Sequence, residues 1–203
     1  MNNDKETKQK LLVSAKKEFM EKGYMKASLR NICKDAGVTT GALYFFFKDK
    51  EDLFGSLIRE PLETLYRFMN EHYASEKDYV IENIKEMGDF EEDRETMEKI
   101  TRFLYQYREE FLLLVEKSQG SCYENFTDRF IEVTQKHYRI MADRYSAFLH
   151  KPRVDDYSIH WISHMEIDVF IHMLTHEPLE EEALKHSKII MNFLIAGWFG
   201  LFR

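Results

Sequence analysis

An all-α fold follows from three observations. The 203 residues include only three prolines. Few segments alternate apolar and polar residues as a half-buried strand would. In segment after segment, apolar residues instead return at i, i+3, i+4 and i+7, the stripe of an amphipathic helix. Sixteen Phe, eleven Tyr and ten Met supply a substantial core, and the length suits one medium domain or a small domain joined to a larger one.

The first helix is expected from about Asp4 to Lys22. Leu12, Ala15 and Phe19 point inward, Lys8, Lys16 and Lys17 outward, and Gly23 stands as the residue after its end. Next, Leu29, Ile32, Cys33 and Ala36 fall at i, i+3, i+4 and i+7 of a short second helix. Gly37 is free to adopt positive φ and turn the chain, with Val38 plugging the turn from inside. Thr39 is a good N-cap for a third short helix through Gly41, Leu43 and Tyr44. Two short helices joined by a tight glycine turn make a helix-turn-helix, whose second helix enters the DNA major groove.

The run from Ala36 to Tyr44, AGVTTGALY, followed by Phe47 and then by Lys48-Asp49-Lys50-Glu51-Asp52-Leu53, resembles the signature of the tetracycline-repressor (TetR) family of bacterial transcription regulators. Ser28 stands where that pattern has threonine, Ile32 where it has isoleucine, Cys33 where it has alanine and Phe46 where it often has histidine. The likeness covers about the first quarter of the chain. It implies an N-terminal three-helix DNA-binding bundle at residues 1–50 and a helical effector-binding and dimerisation domain at 51–203. It also implies phosphate or base contacts from Ser28, Thr39, Thr40, Gly41, Tyr44, Lys48 and Lys50. Hydroxyls and exposed amides suit phosphates, and a glycine lets backbone approach DNA. Phe45, a solvent-facing aromatic on the recognition helix, could touch a thymine methyl. Phe46 loses the donor that histidine would bring.

Beyond the motif, Asp49 can cap a long helix running to about His72, with a kink or break near Gly55–Glu60 because Pro61 removes a backbone donor. Residues 75–118 read as helical with a break near Gly88–Asp89, and Ile100, Phe103, Leu104 and Tyr107 form their clearest stripe. Phe111–Val115 reads as a short buried helix and Gly120-Ser121 as a turn. Asn125–Leu149 is one helix, carrying Phe126, Phe130, Val133, His137, Ile140 and Phe148 on its apolar side. After a loop containing Pro152 come two strongly apolar helices, about Asp156–Thr175 and Leu179–Leu201. They resemble the family's dimerisation pair, which packs with its symmetry mate as a four-helix bundle. Ile189–Phe202 is apolar nearly all round, yet shorter than the about 18–20 residues of a membrane span.

Charge is divided unevenly. Residues 1–50 hold 11 Lys and Arg against 6 Asp and Glu, a balance of +5, and the rest carries −12. A basic head on an acidic body fits a protein whose front meets a polyanion. Two distant cysteines and no signal peptide point to a reduced, cytoplasmic setting without membrane attachment.

Histidines 160, 164, 172 and 176, with Asp168, recur every four residues. Four residues overshoot a helical turn by about 40°, so the row spirals and only neighbours share a face. A solvated or pocket-facing strip is therefore favoured over a metal site. Glu166 projects into the apolar face among Ile159, Ile162, Val169, Phe170 and Met173. A carboxylate there is paired, either across a dimer interface or with a polar group of a ligand.

With these observations, the resemblance implies a homodimeric regulator with no catalytic residue, metal or cofactor, released from a palindromic double-stranded operator by a small-molecule effector of unknown identity. Phe103, Tyr107, Phe126, Phe130, His164 and Glu166 are the expected pocket residues. Two alternatives stand beside it: a metal-dependent hydrolase on the His160/His164 row, and a constitutive DNA-binding protein without effector.

Overall fold

The computed structural model describes residues 2–83 and 91–203, with side chains described for 4–75 and 93–203. The described residues form nine α-helices and no strand. They are α1 (Asn2–Lys26), α2 (Leu29–Asp35), α3 (Thr40–Phe46), α4 (Lys50–Asn83), α5 (Glu91–Gln106), α6 (Arg108–Lys117), α7 (Phe126–Phe148), α8 (Asp156–His176) and α9 (Glu180–Gly200). The break expected at Gly88–Asp89 lies outside the described residues. The chain divides into two compact units, Met1–Glu63 with Tyr107–Phe126, and Thr64–Gln106 with Thr127–Arg203.

In the first unit α1 packs against α2, α3 and α6. Its core includes Leu11, Ala15, Phe19, Ile32, Leu43, Phe47, Leu53 and Phe54, all buried. Leu11 takes the place expected of Leu12, which is half-buried; Leu11, Ala15 and Phe19 make an unbroken i, i+4, i+8 row. Gly23 (φ 72°, ψ 163°) interrupts α1 where its end was expected. The two short helices are stopped and started by local chemistry. At the end of α2, Gly37 sits at φ 66°. Its N–H donates to the Lys34 carbonyl at 3.2 Å, and that of Val38 to the Cys33 carbonyl at 2.9 Å. This pair of bonds is the Schellman motif, which only a left-handed residue can close. The Thr39 hydroxyl then accepts from the Ala42 N–H at 3.2 Å, a cap worth about 1 kcal/mol.

Helix α4 starts on a reciprocal cap. Asp49 accepts from the Asp52 N–H at 2.8 Å, while the Asp52 carboxylate accepts from the Lys48 N–H at 3.1 Å. The break expected near Pro61 is absent, and α4 continues past His72 to Asn83. An internal proline costs about 3 kcal/mol. Buried Ile58 and Leu62 flank it on the same helix, each worth about 1.5–3 kcal/mol, so burial outweighs the lost bond.

In the second unit α5 packs against α8 and α9. A core cluster joins Met141, Ala142, Tyr145, Ile159 and Phe202, with Trp198 and Phe199 packed on it. The apolar side of α7 differs from expectation. Phe130, Thr134, His137, Met141 and Tyr145 are buried, whereas Phe148 is exposed and Val133 and Ile140 only half-buried. Thr134 is admitted because its hydroxyl shares a 3.0 Å hydrogen bond with Tyr73, whose ring also stacks on His137 at 4.2 Å. No described helix is long and apolar enough to cross a membrane.

Candidate nucleic-acid interface and interior cavity

Helix α3 has two faces. Leu43 and the following Phe47 are buried, whereas Thr40, Gly41, Tyr44 and Phe45 are exposed. At 100° per residue those four positions form one contiguous stripe. Phe45 is 76% exposed although its ring packs edge-on against Phe46 at 4.9 Å. Two adjacent aromatics, Tyr44 at 57% and Phe45 at 76% exposed, thus stand in water on one face.

α2, which precedes α3, is held by α1. Ser14 on α1 donates to the Ile32 carbonyl at 2.9 Å. The Glu18 carboxylate accepts from the Ser28 N–H at 3.0 Å and from the Asn31 side chain at 3.3 Å. Glu18 thus fixes the start of α2. Sequence reasoning missed it, since its partner amides lie on another helix and leave no local pattern.

The expected DNA-contacting residues separate into three groups. Thr40, Gly41, Tyr44 and Phe45 share the exposed stripe, and Lys48 follows it on the surface. Ser28 and Thr39 stand at helix N-termini with their hydroxyls accepting from Asn31 and Ala42 N–H groups, leaving each hydroxyl proton available for an acceptor. Lys50 stands apart. Its ammonium donates to the Met25 carbonyl at 3.2 Å and lies 4.7 Å from the Tyr24 ring centre. Burial lowers its pKa.

Below the helix-turn-helix a second polar arrangement closes the unit. Glu51 accepts from the Tyr24 hydroxyl at 2.6 Å and from the Cys122 N–H at 2.8 Å. Burial alone would raise its pKa, but the hydrogen bonds from Cys122 and Tyr24 prevail and lower it. The Cys122 thiol, although its residue is exposed, is pushed up to about 11 by partial desolvation, the hydrogen bond to Glu51 and the Glu51 charge. Lys16 on α1 pairs with Glu110 at 2.8 Å and also with Glu109, both on α6.

The second unit contains a cavity of about 140 Å³. Its apolar lining includes Met69, Met97, Met141, Phe170, Leu194 and Trp198, and its polar groups include His72, Asp93, Thr96, His137 and Glu166. His72 lies 3.7 Å from Asp93 and 3.4 Å from the Thr96 hydroxyl. Of the six residues expected to line a pocket, Glu166 does so. Phe103 lines a separate groove with Phe68 and Arg102, the two rings meeting at 5.1 Å. Phe130 packs edge-on against Tyr66, and His164 packs on His160. Tyr107 and Phe126 belong to the first unit. The lining of this cavity comes from positions on α4, α5, α7, α8 and α9, whose convergence no local periodicity announces.

The histidine row splits into two pairs. His160 bonds to Gln135 at 3.1 Å and its ring meets His164 at 4.5 Å, while His172 and His176 stack at 4.0 Å. Among the described residues, no group of three His, Cys, Asp or Glu is placed to hold a metal.

The apolar surface of α8 and α9 is left open. Tyr157, Trp161 and Met165 on α8 are exposed at four-residue spacing, as are Ile189 and Phe193 on α9. Phe193 is 63% exposed and Trp161 60%.

Residues 11–57 match the family model of bacterial regulatory proteins, tetR family. The chain is 45% identical over 53 residues to the HTH-type transcriptional repressor BepR of Brucella suis biovar 1 (strain 1330), covering 26% of this chain and 25% of that protein. It is 33% identical over 140 residues to the HTH-type transcriptional regulator AcrR of Shigella flexneri, covering 65% and 64%. The match thus spans a quarter of the one relative and under two thirds of the other. Among solved structures, the transcriptional regulator FadR from Bacillus subtilis in complex with stearoyl-CoA shares the fold. Its TM-score is 0.51 at 19% identity, over 93% of this chain and 98% of that one.

Proposed function

We propose that this chain, whose residues 11–57 match the tetR family model, belongs to that family of bacterial regulatory proteins and is a cytoplasmic, homodimeric repressor released from a palindromic operator by a small molecule. The observation that carries the reading is the exposed stripe Thr40, Gly41, Tyr44 and Phe45 on a helix capped at Thr39. A short helix of this kind reads base edges from its N-terminal turns, while flanking groups hold phosphates. In the proposed interface Ser28, Thr39 and Lys48 take phosphates. Lys50 joins them by exchanging the Met25 carbonyl for a phosphate oxygen. The balance of +5 over residues 1–50 favours that approach.

We assign DNA binding to residues 1–50, and effector binding and dimerisation to 51–203. The exposed apolar face of α8 and α9 is too large for water and suits a second copy of the same face. The cavity of the second unit is the effector chamber. FadR, a protein of the same fold, was solved with stearoyl-CoA, and a mostly apolar cavity with a few polar groups is the usual form of a small-molecule site. Release then requires that the effector bind more tightly to a state in which the two heads no longer match the half-sites. The matched relatives are named as regulators, which lends the hydrolase alternative no support.

Selection of bound duplexes from a random pool, followed by titration of the selected and scrambled sequences, tests the reading. A palindromic consensus bound by a dimer is expected. Equal affinity for every duplex would overturn it. The constitutive alternative is separated by screening compounds for release of that operator.

A further inference from the structure

We infer that His172 and His176, one turn apart at the end of α8, form a two-imidazole chelate for a divalent transition ion such as zinc, nickel or copper. Such a site stands independently of the operator and effector roles. The histidine row as a whole spirals around the helix, but neighbours four residues apart share a face. Two histidines at that spacing on one helix face are a known zinc-binding arrangement. Here both residues are exposed, and their rings stack 4.0 Å apart with 9° between the planes. Two zinc–nitrogen bonds of about 2.1 Å at a tetrahedral angle place their nitrogens about 3.4 Å apart. Small side-chain rotations therefore carry both rings from the stack to a shared ion.

The hydrogen bonds select the ligating nitrogen. Nδ1 of His176 lies 3.1 Å from the His172 carbonyl oxygen and 2.9 Å from the Thr175 hydroxyl. A carbonyl only accepts, so the neutral ring carries its proton on Nδ1 and its lone pair on Nε2. Metal-binding histidines are oriented in this way, the second ring nitrogen donating to a carbonyl or carboxylate. Electrostatics agree. His176 is the last residue of α8, where the terminal carbonyls favour a cation, and exposed Asp168 one turn before His172 adds a negative charge. Among the described residues no group of three His, Cys, Asp or Glu is placed to hold a metal, so the protomer supplies two ligands. Water, or the second copy proposed to cover this face of α8, fills the remaining positions. His160 and His164 offer a contrast within the same helix. They are half-buried, their planes stand at 69°, and His160 is tied to Gln135 of α7 at 3.1 Å.

Calorimetric titration of the untagged full chain with Zn²⁺ and Ni²⁺, with Mg²⁺ as a hard-ion control, tests the site. One transition ion per protomer, or one per two protomers, is expected, with no uptake of Mg²⁺, which prefers oxygen ligands. His172→Gln and His176→Gln should each weaken Zn²⁺ at least about tenfold, the scale already set by losing an outer-shell partner. His160→Gln should leave the affinity within about twofold, since it lies about 18 Å from His172 along the helix. On the unsubstituted protein, substoichiometric Cu²⁺ should broaden the ring NMR signals of His172 and His176 before those of the other histidines, a readout that no misfolded variant can confuse. No uptake of Zn²⁺ or Ni²⁺, an affinity untouched by both substitutions, or an equal loss on His160→Gln would overturn the inference.

Discussion

Phe193→Ala tests dimerisation at the most exposed aromatic of α9. Complete burial of a phenylalanine side chain is worth about 1.5–3 kcal/mol. Phe193 is 63% exposed in the isolated chain, so a partner that covers it gains about 1–2 kcal/mol per protomer. Symmetry counts it twice, and the loss of about 2–4 kcal/mol per dimer raises the dissociation constant about 30- to 900-fold. Because the ring contributes little to the protomer's own core, the protomer's thermal stability at low concentration should hardly change. Sedimentation velocity across a concentration series reads the effect directly. Val13→Ala serves as a control, since Val13 is comparably exposed on α1 in the first unit. Should Phe193→Ala dimerise as tightly as the parent, the α8–α9 face is not the interface, and the apolar surface needs another explanation.

Further outcomes follow from the first unit. Phe45→Ala should cost roughly 1–3 kcal/mol per half-site on the selected operator and little on scrambled DNA, at an unchanged salt slope; anisotropy titrations at several salt concentrations check it. Lys48→Ala should weaken both duplexes alike and make the slope of log K against log salt shallower by about 1.8, at ~0.9 per phosphate contact in each of two half-sites. Gly120→Ala should destabilise the first unit by at least about 1–2 kcal/mol in urea denaturation. Gly120 sits at φ +83°, and an added Cβ would lie 2.5 Å from Met25 Cγ. Glu51 gives a pH dependence. Its folded pKa lies below the ordinary carboxylate value, so its contribution is present above the unfolded value and disappears as pH falls through the folded one. Glu51→Gln should therefore flatten the acid limb of a stability profile below about pH 4.5 and leave the neutral region's slope unchanged.

The helix-turn-helix was legible because its determinants are local. The Gly37 turn, the Thr39 cap and the Leu43–Phe47 pair each act within a few residues of themselves, so spacing alone reveals them. Pro61 misled for the opposite reason. Its local cost is real, but the burial of Ile58 and Leu62 that offsets it depends on the whole unit. The α7 face shifted likewise: apolarity favoured Val133 and Phe148, whereas Thr134 and His137 became core through Tyr73, a residue of a distant helix. The cavity was least legible. Glu166 stands out in the sequence as a charge inside an apolar stripe and does line the cavity, yet helical periodicity points equally to Phe126, Phe130, Tyr107 and His164, which lie elsewhere. Which of five helices turn their side chains to one void is decided by packing between segments far apart in sequence.

The ion pairs from Lys16 to Glu109 and Glu110, with α6 packed along α1, have a consequence for the protein's birth on the ribosome. The first unit ends its opening stretch at Glu63 but waits for Arg108–Lys117 to complete itself. At about 5–20 residues per second, the nascent head spends roughly 3 to 11 seconds with one side of α1 uncovered. During that interval the growing chain exposes a half-finished apolar surface beside a basic helix. That is the form in which chaperones, or the nucleic acid of the translation machinery itself, would meet it.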